Sequence, residues 1–108
     1  MASLSTHVLD TSLGAPAAGV TVSLCTRDGQ VLGSGVTNDD GRVGGIGPAA
    51  VAAGDYELRF DTGSYFATSN VAAFFPEVIV VFTVDEGVEH YHVPVLLSPF
   101  GYGTYRGS

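Results

Sequence analysis

Three histidines, His7, His90 and His92, are the side chains of this sequence best suited to moving protons near neutral pH. His90 and His92 stand two residues apart, the spacing that puts side chains on one face of a strand, and His7 lies far away in the chain. Two imidazoles converging from separate strands can bind a substrate and activate water. Taken alone the histidines also fit a plainer role as satisfied surface residues. A zinc site is a third reading, with water as the fourth ligand, but the third histidine would have to come from a distant strand and no carboxylate motif accompanies it. Arg42 follows Asp39-Asp40-Gly41 in a glycine-rich stretch. There a guanidinium can offer its fork of donors to a planar, oxygen-rich ligand, or it can pair with Asp39 or Asp40. The sequence ends Tyr105-Arg106-Gly107-Ser108, a phenol, a cation and a terminal carboxylate that a frayed end would waste.

The charge balance narrows the partners. Eleven acidic residues against four basic ones, all arginine, give a formal charge of -7. Such a surface repels phosphate backbones and anionic lipid, which argues against nucleic acid and membrane as partners. Arg27 and Arg59 occupy ordinary strand or turn positions, so Arg42 and Arg106 stand out. Cys25, the single cysteine, supplies neither a disulfide framework nor metal-type spacing and reads as structural. The first ten residues have no basic and apolar leader pattern, so a cytoplasmic location is the expectation. A length of 108 residues predicts one domain spanning residues 1–108, and 45% hydrophobic against 14% charged residues points to oligomerisation.

The elements that must position these groups are short alternating segments separated by Gly, Asp, Asn and Pro, the pattern of an antiparallel sandwich or barrel of seven or eight strands. Residues 4–9 form the first strand. Residues 19–26 form the second, with Val20, Val22 and Leu24 on one face, and Asp28-Gly29 turns the chain into a third at residues 31–37. Residues 38–48 read as a surface loop. Residues 55–61 alternate with Tyr56, Leu58 and Phe60 inward and Glu57 and Arg59 outward. A short helix is predicted at residues 64–69, capped by Asp61 or Thr62 and stopped at Asn70. Residues 78–84 are apolar on both faces, which suits a subunit interface. Residues 89–97 form a strand that Pro94 assigns to an edge or an irregular stretch, and residues 101–108 a final strand.

The run from Tyr91-His92-Val93-Pro94 through Leu96-Leu97-Ser98-Pro99 to Tyr105-Arg106-Gly107-Ser108 resembles the ending of the 5-hydroxyisourate hydrolases. The opening Leu4-Ser5-Thr6-His7-Val8-Leu9-Asp10, the stretch Thr37-Asn38-Asp39-Asp40-Gly41-Arg42 and Phe74-Phe75-Pro76-Glu77 resemble the same family, so the likeness spans nearly the whole chain. Transthyretin, a hormone carrier, shares the Leu-Leu-Ser-Pro stretch but lacks the terminal Tyr-Arg-Gly-Ser and the enzyme's His and Arg positions. Phe100 and Gly103 depart from residues frequent in the family without touching the candidate site.

The resemblance implies an all-β, transthyretin-like two-sheet sandwich of about eight strands with one short helix. It also implies a homotetramer, a dimer of dimers, with active sites where dimers meet. It carries over His7, Arg42 and His92 as catalytic residues and His7, Arg42, Tyr105, Arg106, Gly107 and Ser108 as substrate-binding residues, with His90 a neighbour. The implied reaction is addition of water to a cyclic amide of 5-hydroxyisourate, a step of urate degradation, with no cofactor and no metal. Two rivals stand beside it: a transthyretin-like small-ligand carrier without chemistry, and a purely structural sandwich in which the histidines are incidental.

Overall fold

The computed structural model describes all 108 residues. Its strands are β1 (Ser3–Asp10), β2 (Ala15–Pro16), β3 (Thr21–Thr26), β4 (Val31–Val36), β5 (Arg42–Gly44), β6 (Gly54–Phe60), β7 (Val78–Val84), β8 (His90–Ser98) and β9 (Gly101–Thr104), with one helix, α1 (Thr62–Ala67). They form two sheets. One runs β2-β1-β8-β9 with β5 also paired to β1, and the other runs β4-β3-β6-β7. The two inner faces bury Leu4, Val8, Val20, Val22, Leu24, Leu58, Phe60, Val78, Val95 and Leu97 between them, each at most 2% exposed. Burying apolar side chains on one face only is what the period of two provides, so the opposite faces remain free for other chemistry. No helix is long and apolar enough to cross a membrane.

Local chemistry explains most boundaries. Gly29 takes a left-handed φ of 94° and closes the β3–β4 hairpin after a turn in which its amide donates to the Thr26 carbonyl. A register shift at Leu24/Cys25 interrupts the β3–β4 ladder, and Cys25 is buried on the outer face, paired with Glu57, so two consecutive residues of β3 are buried on opposite sides. Glu57 faces outward as the alternation requires, yet it is only 6% exposed because Arg27 and Arg59 both close over its carboxylate, at 2.8 and 3.0 Å. The helix starts two residues earlier than the sequence pattern suggested. Asp61 caps it by accepting from the Ser64 amide, and Asn70, at φ 55°, ends it in a left-handed conformation.

Three expectations need correction. The stretch at residues 38–48 is not all loop, because β5 lies inside it and pairs with β1. Pro94 does not mark an edge. β8 is interior, parallel to β1 on one side and antiparallel to β9 on the other. Pro94 is tolerated because it falls in a break of the second ladder, between the Val95–Thr104 pair and the isolated His92–Gly107 bridge, where no donor is needed. The final strand ends at Thr104, and residues 105–108 leave the ladder except at that bridge. β7, apolar on both faces, is an edge strand with Val78, Val80 and Val84 inward and Ile79 and Val81 partly exposed.

Candidate active site

The site grows from the register of three strands on the outer face of the first sheet. In β1, residues 4, 6, 8 and 10 are buried, so Ser3, Ser5 and His7 point outward. The parallel pairing of β1 with β8 sets Ser3 opposite His90 and Ser5 opposite His92. On the other edge of β1, the antiparallel β5 sets Arg42 directly opposite His7. Paired residues share a face, so His7, Arg42, His90 and His92 are gathered on one side of the sheet although they come from three separate strands.

Arg42 is delivered there by a small, well-bonded turn. The Asn38 side-chain oxygen accepts from the amides of Asp40 and Arg42, at 2.9 and 3.0 Å, and the Gly41 amide donates to the Asn38 carbonyl at 2.8 Å. Gly41 sits at φ 74° with its carbonyl accepting from Val8, so close to β1 that a Cβ would collide with the Val8 carbonyl. The Arg42 guanidinium makes no ion pair with Asp39, Asp40 or any other acid, in contrast to Arg27 and Arg59. An exposed, unpaired fork of donors is thus held beside the imidazoles.

A cleft of about 330 Å³ is lined by Ser5, Arg42, His90, His92, Ser108 and the backbone near Gly44. His7 stands one step along the register, beside Arg42 and outside that lining. The Gly107 amide donates to the His92 carbonyl at 2.8 Å, and this single bond lays the last residues against β8 and brings Ser108 to the cleft. A Cβ on Gly107 would lie 2.7 Å from the His92 ring and 3.1 Å from Pro94, so only glycine fits that crossing. Tyr105 and Arg106 do not line the same cleft. They border a neighbouring cavity of about 270 Å³ with Val80, Phe82, Tyr91 and Val93, where the Arg106 guanidinium lies 4.7 Å from the centre of the Tyr91 ring.

Burial lowers the His92 pKa below its ordinary value, and the Arg42 guanidinium and the His7 and His90 imidazoles push in the same direction. The ring is therefore neutral at physiological pH and ready to accept a proton. Ser5, which the sequence did not single out, bonds to both β8 histidines: its hydroxyl is 2.8 Å from His92 Nδ1 and 3.0 Å from His90 Nε2. Ser3 Oγ lies 2.7 Å from His90 Nδ1. The signal was present as the period-two run Ser3, Ser5, His7, but only the pairing with β8 shows what the hydroxyls meet. His90 points both ring nitrogens at serines and His92 its Nδ1, and no three His, Cys, Asp or Glu side chains gather as ligands of one ion.

Comparison with known proteins agrees with this architecture. Residues 4–107 match the model of the HIUase/Transthyretin family. The chain is 47% identical over 109 residues to the 5-hydroxyisourate hydrolase of Salmonella typhimurium, covering 97% of this chain and 80% of that protein. It is also 47% identical to the 5-hydroxyisourate hydrolase of Halalkalibacterium halodurans, covering 97% of each. The solved structure of the Klebsiella pneumoniae 5-hydroxyisourate hydrolase superposes with a TM-score of 0.93 at 44% identity, covering 100% of both chains. With an outward cluster of imidazole and guanidinium on a two-sheet sandwich, and likeness of this extent, the chain belongs to the HIUase/Transthyretin family.

Proposed function

We propose that this chain hydrolyses 5-hydroxyisourate, opening its cyclic amide to 2-oxo-4-hydroxy-4-carboxy-5-ureidoimidazoline with water as co-substrate and no cofactor. The observation that carries the reading is the strand register that sets His7 opposite Arg42 and His92 on the adjoining strand of the same sheet face, in a chain 47% identical to a hydrolase of that name.

His92 is the general base. Its neutral ring takes a proton from a positioned water, an O–H bond breaks, and the oxygen adds to the amide carbonyl carbon. Negative charge then develops on the carbonyl oxygen, where the unpaired Arg42 guanidinium offsets it; such preorganised donors contribute roughly a hundredfold or more in rate. When the C–N bond breaks, the imidazolium returns its proton to the leaving ring nitrogen. His7, beside Arg42, orients the substrate. Gly107 and Ser108 wall the cleft, while Tyr105 and Arg106 fasten the end of the chain over Tyr91 and complete the substrate pocket from the neighbouring cavity.

The assembly is a homotetramer, a dimer of dimers, and the compartment is the cytoplasm. The tetramer is supported by the open edge of β7, by its outward Ile79 and Val81, and by a site on an outer sheet face that another copy can cover. Cytoplasmic residence is in keeping with the free, buried Cys25. The decisive experiment follows the ultraviolet absorbance of freshly made 5-hydroxyisourate. His92→Ala and Arg42→Ala should each lose at least about a hundredfold in kcat/KM, and wild-type rates in both would end the assignment.

A further inference from the structure

The four-membered string Ser3, His90, Ser5, His92 has a direction, and that direction decides which nitrogen of His92 is basic. A hydroxyl in such a string accepts from one neighbour and donates to the other, and a neutral imidazole carries its proton on one nitrogen only. Ser3 Oγ also lies 3.4 Å from the Glu89 carbonyl, which can only accept. If Ser3 donates there, it must accept from a proton on His90 Nδ1. His90 Nε2 is then bare and accepts from the Ser5 hydroxyl, and Ser5 in turn accepts from a proton on His92 Nδ1. The reverse polarity forfeits the bond to Glu89, so it makes three contacts where the first makes four.

We infer that Ser5 is a positioning residue which, with His90 and Ser3 behind it, holds His92 as the Nδ1–H tautomer and so leaves the Nε2 lone pair as the one that takes the water proton. This rests on His92 being the base, as proposed above. An imidazole free in water prefers its proton on Nε2, so without the serine the productive tautomer becomes the minor one. The same bond steadies the ring once it is charged, because an Nδ1–H donating to a hydroxyl is strengthened when Nε2 is protonated. His90, exposed on the lining of the same cleft, acts on His92 through Ser5.

The test joins a spectroscopic readout with kinetics on the full chain. Nitrogen-15 shifts of the His92 ring, read above its titration, should report Nδ1 protonated in the wild type and a majority of Nε2–H in Ser5→Ala. Ser5→Ala should lower kcat about tenfold, roughly what one lost hydrogen bond is worth, with KM little changed. Ser5→Thr, which keeps the hydroxyl on a strand-favouring residue, should restore both tautomer and rate. A wild-type His92 protonated on Nε2, or a Ser5→Ala enzyme with unaltered tautomer and kcat, would overturn the inference. His92→Ala separates the two levels. Full activity in that variant removes the base itself, whereas an inactive His92→Ala beside a fully active Ser5→Ala removes only the role of Ser5.

Discussion

The Gly107 amide and the His92 carbonyl are joined by a 2.8 Å hydrogen bond across a crossing too narrow for any side chain on Gly107. Gly107→Ala puts a methyl group 2.7 Å from the His92 ring, so the end of the chain must lift off β8 or the ring must turn. The expected outcome is a loss of about tenfold or more in kcat/KM, since a displacement of about an ångström at the reacting groups is enough for such losses. Thermal melting should move by only a few degrees, because residues 105–108 contribute little to the core. Removing residues 105–108 should abolish turnover while the sandwich still melts cooperatively.

The lowered pKa of His92 makes the proposed role of this residue testable by pH. With His92 proposed as a base that works neutral, kcat/KM should fall as pH drops through a value below 6.5, the ordinary histidine value. Arg42→Gln removes the second-largest cause of that lowering, after burial, so the midpoint should move upward in pH even as the rate falls. A midpoint that stays put or moves down in Arg42→Gln contradicts the placement of the guanidinium. The same shift has a consequence for stability: the unfolded chain binds the proton more readily than the folded one, so this contribution is lost as pH falls from about 6.5 through the lowered native value.

Asp10, at the end of β1, is 2% exposed and accepts from the Ser12 amide and hydroxyl, the Leu13 amide and the Tyr65 phenol at 2.7 Å. Burial opposes its charge, but the bonds from Ser12, Tyr65 and Leu13 together outweigh it and hold the carboxyl below its ordinary value. Burial and the same bond push Tyr65 up to about 12. Tyr65→Phe should therefore cost roughly 1–3 kcal/mol, read by chemical denaturation. In the wild type the contribution of Asp10 is fully present above pH 3.8 and is lost as pH falls through its lowered native value; a Tyr65→Phe protein as stable as wild type would refute this account.

The Asn38 turn offers a test of positioning without contact to substrate. Asn38→Ala removes the acceptor that gathers the Asp40 and Arg42 amides and should cost about 1 kcal/mol of stability. It should also reduce kcat by several-fold as Arg42 loses its fixed place, and Asn38→Asp, which keeps the acceptor, should recover most of both. Equal rates in all three proteins would show that the turn does not govern the guanidinium.

Much of the sandwich could be read from the sequence because its signals are local. The Asp28-Gly29 hairpin, the alternation around Leu58 and the Asp61 cap are each contained within a few residues, and each stands where the pattern put it. β5 escaped because three residues among glycines show no period to count. The position of Pro94 misled for a related reason: whether a missing donor matters depends on the facing strand, and β9 leaves the ladder at that point. For the candidate site, residue type and family likeness singled out His7, Arg42 and His92, which the strand register gathers on one sheet face. Ser3 and Ser5 were not, since serines alternating on a surface face are ordinary until a parallel partner 87 residues away sets imidazoles beside them.

The parallel alignment of β1 with β8 also bears on how the molecule comes into being. Residues 3–10 are synthesised long before their partners in residues 90–97. Such sequence-distant pairing makes for slow folding, so the serines of β1 meet the imidazoles of β8 only after all the intervening elements have been made. The setting of His92 is therefore a property of the assembled sheet that no local segment of the polypeptide carries by itself.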